Sequence, residues 1–407
     1  MNSFRRNIPV LATSQALMMS SMTLILTTAA LVGFSLAPDQ KYATLPVAVI
    51  YIAVMCTSIP ASLLMERIGR KRGFLFATSF GFSGSALAMY AILNSNFWLF
   101  VVSMFLIGMF NGFGNYFRFA AADAVTTDLK SKAISYVLAG GVIAAIVGPN
   151  LASLTRDSFE NAPFAASYAA LMIMYLLIFV SLLFLKLPDQ TNVHHENSSE
   201  NKTIRPLKEI VLQKKFVVAV VVGMFGYGVM TFIMTATPLA MQHHHHDFSD
   251  VSFTIQWHVL GMYIPSFFTG HLINRFGLIR IMFIGAIIGL GSITVSLLGT
   301  SVIHYWFALV LLGIGWNFMF IGATTLLTET YSITEKGKTQ AVNDFIIFTT
   351  MTFASLSAGA LQYQFGWQAV NYGAIPFMVI VIISLIWLQR DKSKTINNCE
   401  ICEETIN

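Results

Sequence analysis

Twelve apolar stretches of about 20 residues recur along this chain, separated mostly by short polar turns. Each is long enough to cross hydrocarbon as a helix, and a helix satisfies its own backbone polar groups where no water can. The spans are expected at 8–33, 43–65, 73–93, 97–120, 133–154, 163–186, 215–239, 251–273, 281–299, 304–327, 340–362 and 368–389. With 56% apolar and 11% charged residues, the 407-residue chain has too little polar surface to coat a soluble fold. An all-α membrane protein is expected. The first run, IPVLATSQALMMSSMTLILTTAALVGF, exceeds a signal peptide's apolar region and no small-residue cleavage site follows, so it is read as span 1 of a chain beginning at Met1.

An even number of spans puts both ends on one face, and that face holds 21 of the 24 Lys and Arg residues. Among them are Arg5 and Arg6, the cluster Arg67 to Arg72, Lys130 and Lys132, Arg275 and Arg280, and Lys336 and Lys338. The other face keeps Lys41 and Arg156, while Arg118 lies inside a span. The basic face, with both termini, is therefore expected in the cytoplasm. The net charge of +5 calls for no nucleic-acid partner, because anionic lipid headgroups meet these positions.

The longest polar interruption divides the chain into an N-terminal six-helix bundle (1–187), a cytoplasmic linker (188–214), a C-terminal six-helix bundle (215–390) and a tail (391–407). The segment RPLKEIVLQKK at the linker's end places Leu207, Ile210 and Val211 on one helical face, as in a helix lying along the membrane surface.

The two halves repeat one another. A shift of 208 residues lays Ser62, Glu66, Arg67 and Gly69 on Gly270, Asn274, Arg275 and Gly277; a shift of 206 lays Asn111 on Asn317, Asp123 on Glu329 and Lys132 on Lys338. The first loop, SLLMERIGRK, resembles the G-x-x-x-D-R-x-G-R-R signature of the major facilitator superfamily, with Ser62, Glu66 and Lys71 as its departures. A weaker copy keeps Gly270, Arg275 and Gly277. AAIVGPNLA in span 5 is similar to that superfamily's antiporter-associated G-x-x-x-G-P-x-x-G in Gly148 and Pro149, a slight lean toward export. Span 4 departs: drug antiporters of the superfamily carry an arginine where this chain has Gly108 before Asn111 and Gly112.

The resemblance covers nearly the whole chain. It implies two six-helix bundles related by a pseudo-two-fold axis, rocking about a central site in a monomer of the bacterial inner (cytoplasmic) membrane. It places the cavity among spans 1, 4, 7 and 10. Residues of the motif-bearing loops and the acids at span ends, namely Glu66, Arg67, Gly69, Arg70, Asp123, Asn274, Arg275, Glu329 and Asp344, are candidates for an interbundle latch, or else simply set topology and pair locally.

Mid-membrane depth holds no Asp, Glu or Lys. Gln15, Asn111, Asn115, Gln256, His258 and Asn317 are the polar candidates for substrate binding, with Tyr227 and Trp316 as aromatic walls and Arg118 as a deeper cation; each Asn or Gln is also readable as glue between helices, the commoner role for such a residue in a bundle. Hydrogen-bonding groups, aromatics and few charges suit a small amphipathic or planar organic solute. His258, Glu66, Asp123 and Asp344 are the candidates for proton coupling, and an uncoupled facilitator is the alternative.

The run His243, His244, His245 and His246 falls between spans 7 and 8, where it is readable as a metal site or as a solvated turn. A transition-metal or metal-chelate transporter would rest on it alone. Cys399 and Cys402 form a lone CxxC in the tail. No Walker loop, dinucleotide fingerprint, G-x-S-x-G or metal-ligand spacing within the spans appears. The chain therefore reads as a secondary transporter without a cofactor, against the alternative of a membrane-embedded lipid enzyme.

Overall fold

A computed structural model describes residues 2–125, 129, 133, 136, 137, 139–187 and 205–404, and the side chains of 2–5, 333 and 391–404 fall outside the description. Lys130, Lys132, linker residues 188–204 and the side chains of Arg5, Cys399 and Cys402 accordingly lie outside the described residues.

All regular elements among the described residues are helical. The first bundle comprises α1 (Asn2–Leu36), α2 (Leu45–Ile68), α3 (Arg70–Leu93), α4 (Phe97–Gly114) with its continuation α5 (Phe117–Asp123), α6 (Gly140–Thr155) and α7 (Ala165–Leu183). A short α8 (Leu207–Val211) leads into the second bundle, α9 (Lys214–His243), α10 (Phe248–Tyr263), α11 (Ser266–Phe276), α12 (Leu278–Leu298), α13 (Val302–Thr328) and α14 (Lys336–Glu404). In α8, Ile210 is buried and Leu207 exposed, as is Leu212 just beyond its end.

Nine helices among the described residues are long and apolar enough to cross a membrane. That count is compatible with twelve spans for local reasons. Span 5 is a 16-residue helix. Span 8 is broken into α10 and α11 around Pro265, which has no amide to donate. Spans 11 and 12 run without an intervening loop, turning at Gly366, where φ is 76° and ψ is −176° inside α14.

Sequence-local chemistry sets several ends. Pro46 enters α2 in its first turn, where a missing amide costs no hydrogen bond. Asn96 caps α4 by accepting from the Leu99 amide at 3.0 Å. Small residues then bring helices close. A Cβ on Gly148 would stand 2.7 Å from the Ser20 carbonyl oxygen of α1, and one on Gly315 would stand 2.8 Å from the Gly285 oxygen of α12. Gly148 of the GP element is thus a packing residue between α1 and α6.

The bundles meet along α6 with α10, α2 with α14 and α1 with α9. Away from the basic loops the contact is tight: a Cβ on Gly359 would lie 2.5 Å from Thr44 Oγ1, Ser252 donates to the Pro149 carbonyl at 2.8 Å, and Phe164 packs on Phe248 at 4.9 Å. The face opposite the basic loops is therefore closed.

Candidate interbundle site

In the first bundle, α4 presses on α2 so closely that a Cβ at Gly108 would lie 2.7 Å from the Ile50 carbonyl oxygen. No arginine fits there without parting the two helices, which explains the departure from the antiporter pattern. One turn on, buried Asn111 donates to the Ile107 carbonyl at 3.0 Å and has Met22 Sδ of α1 at 4.0 Å. Gln15 is buried on α1, and its Oε1 accepts no hydrogen bond. Asn115 caps α4 where the helix breaks, and the hydroxyl of Tyr116 donates to the Ser58 carbonyl at 2.9 Å. Arg118 follows on α5, 4.9 Å above the Phe119 ring and with Nε making no hydrogen bond.

In the second bundle, Trp316 and Phe320 stack one helical turn apart at 4.8 Å and 10°. Tyr227 of α9 meets both edge-on, at 5.1 and 5.5 Å. The Trp316 Nε1 is buried and has no acceptor. Phe320 joins this surface although sequence reasoning did not single it out; it was findable as the next-turn neighbour of Trp316.

Three expected cavity residues are placed elsewhere. Asn317 donates to the Met262 carbonyl at 2.7 Å and to Ser266 Oγ at 2.6 Å, and accepts from Thr269 Oγ1 at 2.6 Å. Its amide spans the break between α10 and α11 and is spent there. His258 is buried against α13, with Nδ1 2.8 Å from the Leu309 carbonyl oxygen. Gln256 accepts from Asn150 Nδ2 at 2.7 Å, a direct bond between bundles.

The latch candidates divide likewise. Arg70 pairs with Asp123 at 2.5 Å, tying the start of α3 to the end of α5 within one bundle. In the other bundle Glu329 pairs instead with Lys215 at the start of α9, 2.7 Å away. Glu66, Arg67 and Asn274 are exposed, the guanidinium of Arg275 lies 5.3 Å from the Phe276 ring, and Asp344 accepts from Asn343 at 3.0 Å. A clasp not foreseen from sequence holds the end of the linker: the Arg205 guanidinium gives two hydrogen bonds to Glu335, at 3.0 and 2.7 Å, and one to the Thr330 carbonyl at 3.1 Å, while the Arg205 amide donates to Glu335 at 3.0 Å. Glu335 completes a capping box with Ser332, and Lys338 donates to the Arg205 carbonyl. Arg205 holds the Glu335 carboxyl far below the usual carboxylate range.

The histidine run is not a simple loop. His243 ends α9 and His244 caps it, with Nδ1 2.8 Å from the Ala240 carbonyl oxygen and 3.1 Å from Tyr305 Oη. His245 takes φ of 60°, and His246 Nε2 reaches the Thr300 carbonyl oxygen at 2.6 Å. Two of the four rings are thus engaged in holding the turn to its neighbours.

The sequence model of the Major Facilitator Superfamily matches residues 11–236 and 220–398. The riboflavin transporter RfnT of Brucella anthropi is 39% identical over 382 residues, spanning 94% of this chain and 95% of that protein. Two Bacillus subtilis proteins described as uncharacterized MFS-type transporters are 25% identical: YdeG over 396 residues (94% of this chain, 92% of YdeG) and YddS over 404 residues (95% and 92%).

Proposed function

This chain belongs to the Major Facilitator Superfamily, and from that premise we propose that it carries a planar heteroaromatic solute of the flavin class, with riboflavin as the first compound to test. It is an integral membrane transporter of a small molecule and not an enzyme. The observation that carries the substrate reading is the parallel Trp316 and Phe320 pair edged by Tyr227. Flat π systems stack or meet edge-on with such rings, and the unpartnered Trp316 Nε1 offers a hydrogen bond to a ring carbonyl. Gln15, Asn111 and Asn115 supply the polar contacts from the first bundle, and Arg118 is assigned as the cationic hydrogen-bond donor to the solute's oxygens.

The cycle is alternating access, with the present structure as the state closed opposite the basic face. Closing the basic face brings the loop of Glu66, Arg67 and Arg70 toward the second bundle, where it latches. The basic face is cytoplasmic, in a bacterial inner membrane, and the working unit is a monomer. Asp344, which accepts from Asn343 near the start of α14, is our candidate for the acid that carries a coupling proton. The engaged rings of His244 and His246 speak against the metal-transport alternative.

The test is riboflavin uptake by proteoliposomes with and without a proton gradient. Saturable uptake that the gradient accelerates supports both parts. Uptake indifferent to the gradient leaves a facilitator, and no flavin binding or transport removes the substrate reading.

A further inference from the structure

A cavity of about 320 Å³ lies at the closed face, and none of its lining residues belongs to the aromatic surface. Both bundles build it. Arg156, Asn161 and Phe164 come from the end of α6 and the turn into α7, while Gln242, His246 and Phe248 come from the turn between α9 and α10. It therefore exists only while the bundles touch here.

Among its described lining residues, Arg156 is the one Lys or Arg. The guanidinium lies 5.7 Å from the Phe164 ring and 5.2 Å from the Phe248 ring, so aromatic faces flank it on both bundles. Rings stacked on a guanidinium cover its faces and leave its hydrogen-bonding edge. That edge is poorly used. Arg156 Nε is buried and meets only the Asp157 carboxylate, at 3.4 Å, too long for a well-formed charge-assisted hydrogen bond and to a group mostly in solvent. Two side-chain amides, Asn161 and Gln242, line the same space, with Leu31 and Ile92 as apolar wall. A guanidinium edge, flanking amides and an apolar wall match one chemistry: a carboxylate on a compact apolar body. The clasp is also strained, because Phe164 holds φ of 68°, a conformation that side chains larger than Asn rarely adopt.

We propose that this cavity is a regulatory site for a small organic monocarboxylate, whose binding holds the face opposite the basic loops closed. Because the lining comes from both bundles, such a ligand has affinity for the closed state alone and shifts the equilibrium toward it. The site is distinct from the transport site, so occupancy slows turnover without competing with the transported solute.

Benzoate serves as the probe, and the readout is the distance between spin labels at Asn94→Cys and Ser301→Cys, on the two bundles at this face, in a chain whose Cys56, Cys399 and Cys402 are replaced by Ser. Saturating benzoate should narrow the distribution to its short component. Arg156→Lys keeps the charge but loses the fork and should raise the concentration required by roughly tenfold or more; Asn161→Ala, which leaves the clasp intact, should weaken the response as well. No change of distance, or a response equal in parent and both variants, overturns the proposal. Benzoate displacing bound riboflavin competitively also overturns it, since that places the carboxylate at the transport site. The distance readout contains no flavin, so its failure leaves the transport reading untouched.

Discussion

Gly69 and Gly277, 208 residues apart, hold one backbone conformation: φ 85° and ψ 147° at the first, φ 92° and ψ 147° at the second. Each ends one helix and starts the next, so the internal repeat extends to dihedral angles. This region of conformational space is open to glycine and closed to side chains, including Asn, which tolerates only the left-handed helical well.

Replacing either glycine should therefore destabilise without any clash, since a Cβ at either position meets nothing within 4 Å. Gly69→Ala and Gly277→Ala should each cost about 1 to 3 kcal/mol, and Gly69→Asn should not rescue. Thermal unfolding of the purified variants measures this. An Asn variant as stable as the parent would show that the turn relaxes into the left-handed helical well.

The aromatic surface gives a binding prediction. Trp316→Leu keeps apolar bulk but removes the stack on Phe320 and the unpartnered N–H. Flavin affinity should fall by roughly 2- to 12-fold, the equivalent of about 0.5 to 1.5 kcal/mol for one aromatic pair. Titration by quenching of flavin fluorescence reads it directly, and an unchanged dissociation constant moves the site off this surface.

Asn317 should behave oppositely, although it is the adjacent residue. Asn317→Leu leaves Thr269, Ser266 and the Met262 carbonyl without their partner, at a cost of about 1 to 3 kcal/mol of stability. Flavin affinity of the folded fraction should be unchanged. A variant that is stable but binds weakly would return Asn317 to the cavity.

These neighbours show where the sequence stops being informative. Span length and loop motifs are local properties, so the helices, the repeat and the family resemblance were legible. Which face of α13 looks at the interface was not, because residues on every side of this helix are apolar and no amphipathic stripe distinguishes Trp316 from Asn317. The equivalence of Asn111 with Asn317 holds along the chain but not in contacts: the first bonds within α4, the second across to a helix broken at Pro265. The departure at Gly108 was visible as a missing arginine, yet its cause needs the 2.7 Å approach of the Ile50 oxygen. The Arg205 clasp joins residues 130 apart, and no spacing rule connects them.

The contact between Asn150 and Gln256 predicts a conformational effect. Their hydrogen bond crosses the interface at 2.7 Å and must break when the closed face opens. A double-mutant cycle with Asn150→Leu and Gln256→Leu, read as the population of the closed state by spin-label distances, should give a coupling of about 0.5 to 1.5 kcal/mol favouring closure. Additive effects would mean that the pair is broken in both states.

The Arg205 and Glu335 clasp should leave a signature in the acid limb of stability. The carboxyl of Glu335 ionises near 4.5 in an unfolded chain, and Arg205 together with the Ser332 amide holds it far lower in the fold. A depressed acid stabilises the folded state wherever the unfolded chain would be ionised. That contribution is complete above about pH 4.5 and drains away as the pH falls from there toward the folded value. Glu335→Gln removes the charge while keeping hydrogen-bonding capacity, so its melting temperature should lie below the parent's at about pH 6, with the gap closing toward about pH 3. Other acids titrate in both proteins and cancel in the difference. Arg205→Gln should flatten the same limb by removing the cause of the depression. A gap of constant size from about pH 6 to about pH 3 would mean that Glu335 acts in the capping box with Ser332 through neutral hydrogen bonds alone, with no part for the charge of Arg205.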